Sequence, residues 1–254
     1  MRQIRKLIIL FIILIIWGVG SYFQLWNSYI IPSPKRVFNA FVMLLENGKL
    51  LGSMGVSLKR VFIGFTISAG IALPMGIIFG LYNTVYEYFK YILEFLRHTP
   101  PLAMVPMIIL WFGIGEVSKI VIIVLASFFP IFLNTLKGIR DCNKEYIEVG
   151  EVFGLSHYEI FKKIIFPNAV PDVLLGLKLG IGYSWRAIIA AELIASLAGI
   201  GYLILDAQQI SRSDIVIVGI ISIGVLGIIT DFCFSSFMKG YLKNREGKID
   251  ERYL

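Results

Sequence analysis

The chain has 254 residues, of which 57% are hydrophobic and 16% charged, with a net charge of +7 and a mean hydropathy of +0.79. Soluble domains carry about 25% charged residues, so this composition excludes a soluble enzyme, a disordered chain and a nucleic-acid-binding module. A helical span takes roughly 20 apolar residues, and the chain then holds about five to seven spans with no room for a soluble domain.

Taken in order, Arg2, Arg5 and Lys6 precede an apolar run from Leu7 to Trp17. Apolar character continues to Trp26 with no small-residue cleavage site, which predicts a retained first span over 7–26 ending in a Tyr22/Trp26 belt. Residues 34–50 space Val37, Phe38, Phe41, Val42, Leu44 and Leu45 for a half-buried helix lying along the membrane surface. Five further spans follow at 56–80, 92–113, 118–137, 171–196 and 214–237, the third and fourth separated by a tight Gly113-Ile114-Gly115-Glu116 turn. The fold expected is all-α, a polytopic membrane protein with about six transmembrane helices.

With the amino terminus inside, the cytoplasmic pieces hold 15 Lys and Arg and the opposite side 7, so the positive-inside rule places both termini in the cytoplasm. Cys142 and Cys233 sit in different contexts, and His98 and His157 cannot build a haem or zinc site between them, so no metal site is expected.

The interior of the chain has one long hydrophilic stretch, 138–170. Within it, Glu148 to Pro167 read EVGEVFGLSHYEIFKKIIFP. Glu148 and Glu151 are expected early in a short helix, where negative charge suits the amino end. Gly154 breaks that helix, and Leu155 follows in the bend. Ser156 makes an N-cap, with Glu159 completing a capping box. The second helix presents Ile160, Phe161, Ile164 and Ile165 on one side, and Pro167 is expected to stop it. Two short helices with a fixed bend form a rigid knob suited to docking.

This stretch resembles the cytoplasmic loop of inner-membrane permease subunits of ATP-binding-cassette importers, E-A-A-x3-G-x9-I-x-L-P. Here Glu148, Gly154, Ile164 and Pro167 stand in register, with Val149 and Gly150 in place of the alanines and Phe166 in place of the leucine. Further pieces resemble the branch grouped as sulfonate, taurine and nitrate permeases: Pro32-Ser33-Pro34, Ser57 to Val61, Arg97 to Ala103, Trp111 to Gly115, Phe128 to Ile131, and Gly199 to Tyr202. The resemblance implies that Glu148, Gly150, Glu151, Gly154, Leu155, Ser156, Ile164 and Pro167 form coupling helices seated on an ATPase subunit. It implies a homodimer in the bacterial plasma membrane, a dimer of ATP-binding subunits and an external solute-binding protein. It also implies a core over 56–237 with the coupling loop 138–170, preceded by a span and interfacial helix in 1–55 and followed by a cytoplasmic tail, 238–254. No G-x-x-x-x-G-K-[ST] phosphate loop occurs, so this chain is not expected to be an enzyme. No cofactor is expected in it, ATP and Mg being used by the partner ATPase.

The fifth span carries the most unusual residues for a membrane segment. At 100° per residue Lys178, Gly182, Trp185, Glu192 and Ser196 share an arc, with Arg186 flanking it. Charges inside spans usually face protein or water and point to function. These six residues are expected to line a translocation path, and the two cations suit an anionic solute. A structural alternative stays open, with Lys178 reaching the membrane edge and Glu192 pairing with Arg186. Gly76/Gly80 and Gly176/Gly180 are small-xxx-small patterns that favour close helix packing. A secondary transporter driven by an ion gradient is the alternative function, with Glu192 or Asp231 carrying protons.

Overall fold

The computed structural model describes residues 2–246. Among them there are helices and turns and no strand. The helices are α1 (Arg2–Tyr22), α2 (Pro34–Glu46), α3 (Lys49–Leu81), α4 (Asn83–His98), α5 (Val105–Phe112), α6 (Glu116–Arg140), α7 (Lys144–Val152), α8 (His157–Ile160), α9 (Phe166–Ala195), α10 (Ile200–Gln209) and α11 (Ser213–Glu246). A 3-10 turn (Pro101–Met104) precedes α5, and a π-helical turn (Phe161–Ile165) joins α8 to α9. Among the described residues four stretches are long and apolar enough to cross a membrane: Lys49–Leu81, Glu116–Arg140, His157–Ile194 and Ser213–Leu242. A bent pair makes a fifth candidate, and Phe11–Tyr22 is a shorter apolar helix.

Three expected boundaries move. The first helix ends at Tyr22 and not at Trp26: Gln24 takes φ +52 and Trp26 folds back over Gly20, where its ring fills the space a Cβ would need. The third span is not one rod, because α4 and Pro101–Phe112 meet at 84°. Pro100 and Pro101 supply no N–H, and the residue before a proline is pushed out of the helical region; Thr99 and Pro100 are both extended, with ψ 114 and 127. The last helix runs on to Glu246, into what was expected to be tail, while residues 247–254 of that tail lie outside the described residues. One element escaped the sequence reading, α10, whose Ile200, Leu203, Ile204 and Ala207 are buried at helical spacing.

The chain divides into two compact units, Met1–Leu58 with Glu192–Val225, and Lys59–Ala191 with Leu226–Leu254. In the first unit, α2 lays Val37, Ala40 and Leu44 against Leu50, Leu203, Ala207, Ile215 and Val218. Ser33 caps it, its Oγ accepting from Arg36 N at 3.3 Å.

In the second unit, α6 lies between α3 and α9 through small residues. A Cβ on Gly76 or Gly80 would fall 2.6–2.8 Å from Thr135 or Ile139, and one on Gly176 or Gly180 2.8 Å from Asn134 or Ile131. Both small-xxx-small patterns therefore sit where helix backbones approach closely. Side chains on α6 bond back to carbonyls one turn earlier, Asn134 Nδ2 donating to Pro130 O at 2.7 Å and Thr135 Oγ1 to Ile131 O at 2.8 Å. Beside them Phe132 meets Phe79 edge-to-face and stacks on Phe128.

Candidate functional site

The knob at 143–165 belongs wholly to the second unit. Asn143 starts α7, its Oδ1 accepting from Glu145 N at 3.0 Å. The helix ends in a Schellman motif: Gly154 N donates to Glu151 O at 2.9 Å and Leu155 N to Gly150 O at 3.0 Å. Gly154 supplies the left-handed residue this requires, at φ +74. Ser156 then caps the next helix as expected. Its Oγ accepts from Glu159 N at 3.4 Å, its N–H donates to Glu159 Oε2 at 3.1 Å, and Lys163 Nζ holds the same carboxylate at 2.9 Å.

Two details of the sequence reading need correction. Glu148 and Glu151 are not early in α7; Glu145 occupies its first turn, Glu148 its middle and Glu151 its last turn. Their charges therefore do not complement the amino end of the helix, and both project outward, exposed. Pro167 does not stop the second helix. The π-helical turn, in which Phe166 N donates to Phe161 O, carries the chain past the missing proline N–H and into α9. The knob is thus a rigid extension of a long apolar helix.

Its inner face is well packed. Ile160 and Ile165 are buried against Ile139, Cys142, Ala169 and Val173, with Leu155, Phe161 and Ile164 half-buried beside them. Gly150 is where α7 meets this face, a Cβ there lying 2.8 Å from Ile164 Cδ1. The outer tip is the reverse: Val152 and Phe153 are 86% and 80% exposed. Sequence reasoning missed these two, although an apolar pair directly before a helix-ending glycine was a readable signal. Clefts of about 520 and 530 Å³ flank the knob, one lined by Tyr146, Val149 and Lys163, the other by Glu151, His157 and Tyr158.

The six residues of the predicted path divide between the units. In the second, Lys178 is half-buried with Nζ 3.8 Å from Asp231 Oδ2. Trp185 is buried and donates from Nε1 to Thr230 Oγ1 at 3.0 Å. Gly182 and Arg186 are exposed, the guanidinium lying 5.3 Å from the centre of the Tyr183 ring.

In the first unit, Ser196 is half-buried, with its Oγ accepting from Ala198 N at 3.3 Å. Glu192 is fully buried and binds the amino end of α10. Ser57 Oγ donates to its carboxylate at 2.8 Å, Gly201 N donates to Oε2 at 2.9 Å, and Ile200 N donates to Ser57 Oγ at 2.9 Å. A buried carboxylate there satisfies backbone donors that would otherwise be orphaned, and complements the helix dipole. Gly199, at φ +110, leaves room for it: a Cβ would lie 2.3 Å from the carboxylate. Neither Ser57 nor Gly199 was singled out from sequence for this role, since their contacts with Glu192 and α10 are made across turns of tertiary structure.

Long apolar helices packed through glycines, with a rigid knob between two of them, define a helical multi-pass membrane protein. The chain belongs to the family described as binding-protein-dependent transport system inner membrane component, which matches residues 72–240. It is 38% identical over 220 residues, 87% of this chain and 80% of the relative, to the putative aliphatic sulfonates transport permease protein SsuC of Bacillus subtilis. It is 32% identical over 256 residues, 97% of this chain and 92% of the relative, to the nitrate import permease protein NrtB of Synechocystis. Among solved structures, an amino acid ABC transporter chain aligns with a TM-score of 0.62 at 16% identity, over 80% of this chain and 97% of that one, a likeness of fold. The protein is accordingly a permease subunit of an importer in the inner membrane, on the sulfonate, taurine and nitrate branch.

Proposed function

We propose that two copies of this chain form the path by which an importer carries a small anion of the aliphatic sulfonate, taurine or nitrate type. An external solute-binding protein delivers the solute, and a dimer of ATP-binding subunits, using ATP and Mg, drives the cycle. Relatives named for sulfonate and nitrate transport support the solute class.

The observation that carries the reading is the knob. Capped at both helices and bent at Gly154, it is continuous with α9, so a force applied at its tip passes into that helix without a flexible joint. Val152 and Phe153 give the tip an apolar anchor, and Glu148, Glu151 and Ser156 surround it with polar contacts. ATP binding draws the knobs of the two copies together and reorients the spans; hydrolysis resets them.

Gly182 and Arg186 face the path on α9, Arg186 supplying the positive potential an anion needs. Lys178, held near Asp231, contributes to the same field. Trp185, Glu192 and Ser196 hold the walls in place. Both termini lie in the cytoplasm, following the distribution of Lys and Arg, and the exposed apolar side chains of α11, such as Ile228 and Phe232, meet lipid.

Native mass spectrometry of the tagged chain, co-expressed with its genomic neighbours, tests this. Two copies with two ATPase chains are expected. A stable species without ATPase that still moves solute in vesicles lacking ATP would overturn the reading in favour of a secondary transporter.

A further inference from the structure

The amino ends of α2 and α11 meet in the first unit around an open cleft of about 350 Å³, lined by Arg36, Asn39, Ala40, Met43, Arg212 and Asp214. Four of these residues stand on one stripe of α2 at i, i+3, i+4 and i+7 spacing. The other two are placed by a second Schellman motif. At the end of α10, Ser211 N donates to Gln208 O at 3.1 Å and Arg212 N to Ala207 O at 2.8 Å, with Ser211 at φ +56. A serine held in the left-handed region is uncommon, and the consequence here is to aim Arg212 at Asp214.

Arg212 is committed to Asp214. Its Nε donates to Oδ1 at 2.9 Å and its Nη2 to Oδ2 at 2.8 Å. That pairing pulls the Asp214 charge into a buried position, its side chain 3% exposed. Arg36 is arranged differently. Its Nε lies 3.7 Å from Asp214 Oδ2, near enough for attraction and too far for a hydrogen bond, and its side chain is 42% exposed. No side-chain hydrogen bond is made by Arg36 or Asn39 among the described residues. The cleft therefore holds two cations against one anion, one net positive charge, together with a guanidinium and a carboxamide that make no side-chain hydrogen bond among the described residues. The positive ends of two helix dipoles add to it.

We propose that this cleft is a binding site for a singly charged oxoanion, held by the Arg36 guanidinium and the Asn39 carboxamide over the Arg212–Asp214 pair. A monoanion neutralises the cleft, whereas a dianion leaves it with excess negative charge beside Asp214. The volume reaches the lower range of small-molecule sites, about 300 Å³ and upward. Sulfonates and phosphodiesters share this chemistry, so the anion comes either from solution or from a lipid headgroup. The site does not depend on ATP-driven import, and its test contains no ATPase.

The full chain in phosphatidylcholine nanodiscs is titrated calorimetrically with methanesulfonate and with sulfate, and phosphatidylglycerol retention is read by native mass spectrometry. Wild type binds methanesulfonate saturably and more tightly than sulfate, and Arg36→Gln weakens it about tenfold, as loss of a charge-assisted bond implies. Asn39→Leu, an exposed change, weakens it several-fold and guards against a folding effect in the first variant. Phosphatidylglycerol retained by wild type and released by Arg36→Gln assigns the anion to a headgroup and equally supports the site. Binding of either ligand that Arg36→Gln leaves unchanged, sulfate binding as tightly as methanesulfonate, or no binding of either ligand overturns the proposal.

Discussion

Replacing Gly154 tests whether the bend of the knob is a matter of backbone conformation. A Cβ at this position meets nothing within 4 Å, so a substitution costs nothing in crowding. What it costs is φ +74, roughly 1–2 kcal/mol for an L-residue and more for a β-branched one. Asparagine tolerates this region best of the non-glycine residues. If the bend relaxes, the two Schellman hydrogen bonds from Gly154 N and Leu155 N are lost, each worth about 1 kcal/mol, a cost that opposes relaxation equally in wild type and variants. The backbone strain of a β-branched residue alone should shift the balance toward the unbent knob in Gly154→Val by roughly 2–3 kcal/mol, about 30- to 150-fold. Gly154→Ala should fall near tenfold and Gly154→Asn near twofold. The assay is recovery of the proposed partner ATPase on the tagged chain in mild detergent, with size-exclusion chromatography of the same samples reporting membrane insertion and folding. Insertion should be unchanged throughout. Equal losses for Asn, Ala and Val would show that size at the tip matters and not φ, and normal ATPase recovery with Val would refute the coupling role.

Glu192→Ala strips partners from Ser57 Oγ and Gly201 N, both buried, and should cost about 3 kcal/mol, read as a lowered Tm; an unchanged Tm would remove Glu192 from its place at α10. Ser211→Gly relieves a left-handed serine and should raise stability by about 1 kcal/mol, measured the same way; a fall in Tm would mean that the serine side chain holds the turn. Burial pushes the Cys142 thiol up from its ordinary value, so at pH 7–8 it should stay protonated and react with maleimide far more slowly in the folded chain than after denaturation. The linked stability has a definite sign: the folded state retains that proton longer than the unfolded one, so stability should fall as pH rises past about 8.5, the unfolded thiol's range. Equal labelling rates before and after denaturation would show that Cys142 is accessible.

Much of the site could be read along the chain because its determinants are local. A glycine in the left-handed region, a serine three residues before a glutamate and an apolar stripe at helical spacing each act within one or two turns, and the capping box at Ser156 follows from them. Pro167 misled for the opposite reason. A missing N–H ends a helix only if the backbone cannot route around it, and the π-helical turn does so while Ile160, Ile164 and Ile165 keep their places in one cluster with Ile139 and Val173. Helical periodicity put Trp185 and Glu192 on one arc but carried no information about their hydrogen-bond partners, Thr230 and Ser57, which lie far off in sequence.

By itself the sequence determined that this is a helical membrane protein and that a bent pair of short helices interrupts its long apolar helices. Those properties depend on hydrophobicity summed over some twenty residues and on caps that reach no further than four. Only the tertiary structure decided which glycines bring helices into contact, that the third span is bent by 84°, that Glu192 serves a helix end, and that Arg36 and Arg212 share a cleft. Each of these depends on residues brought together across the chain, and a side chain's partners there are set by packing geometry that no local pattern encodes.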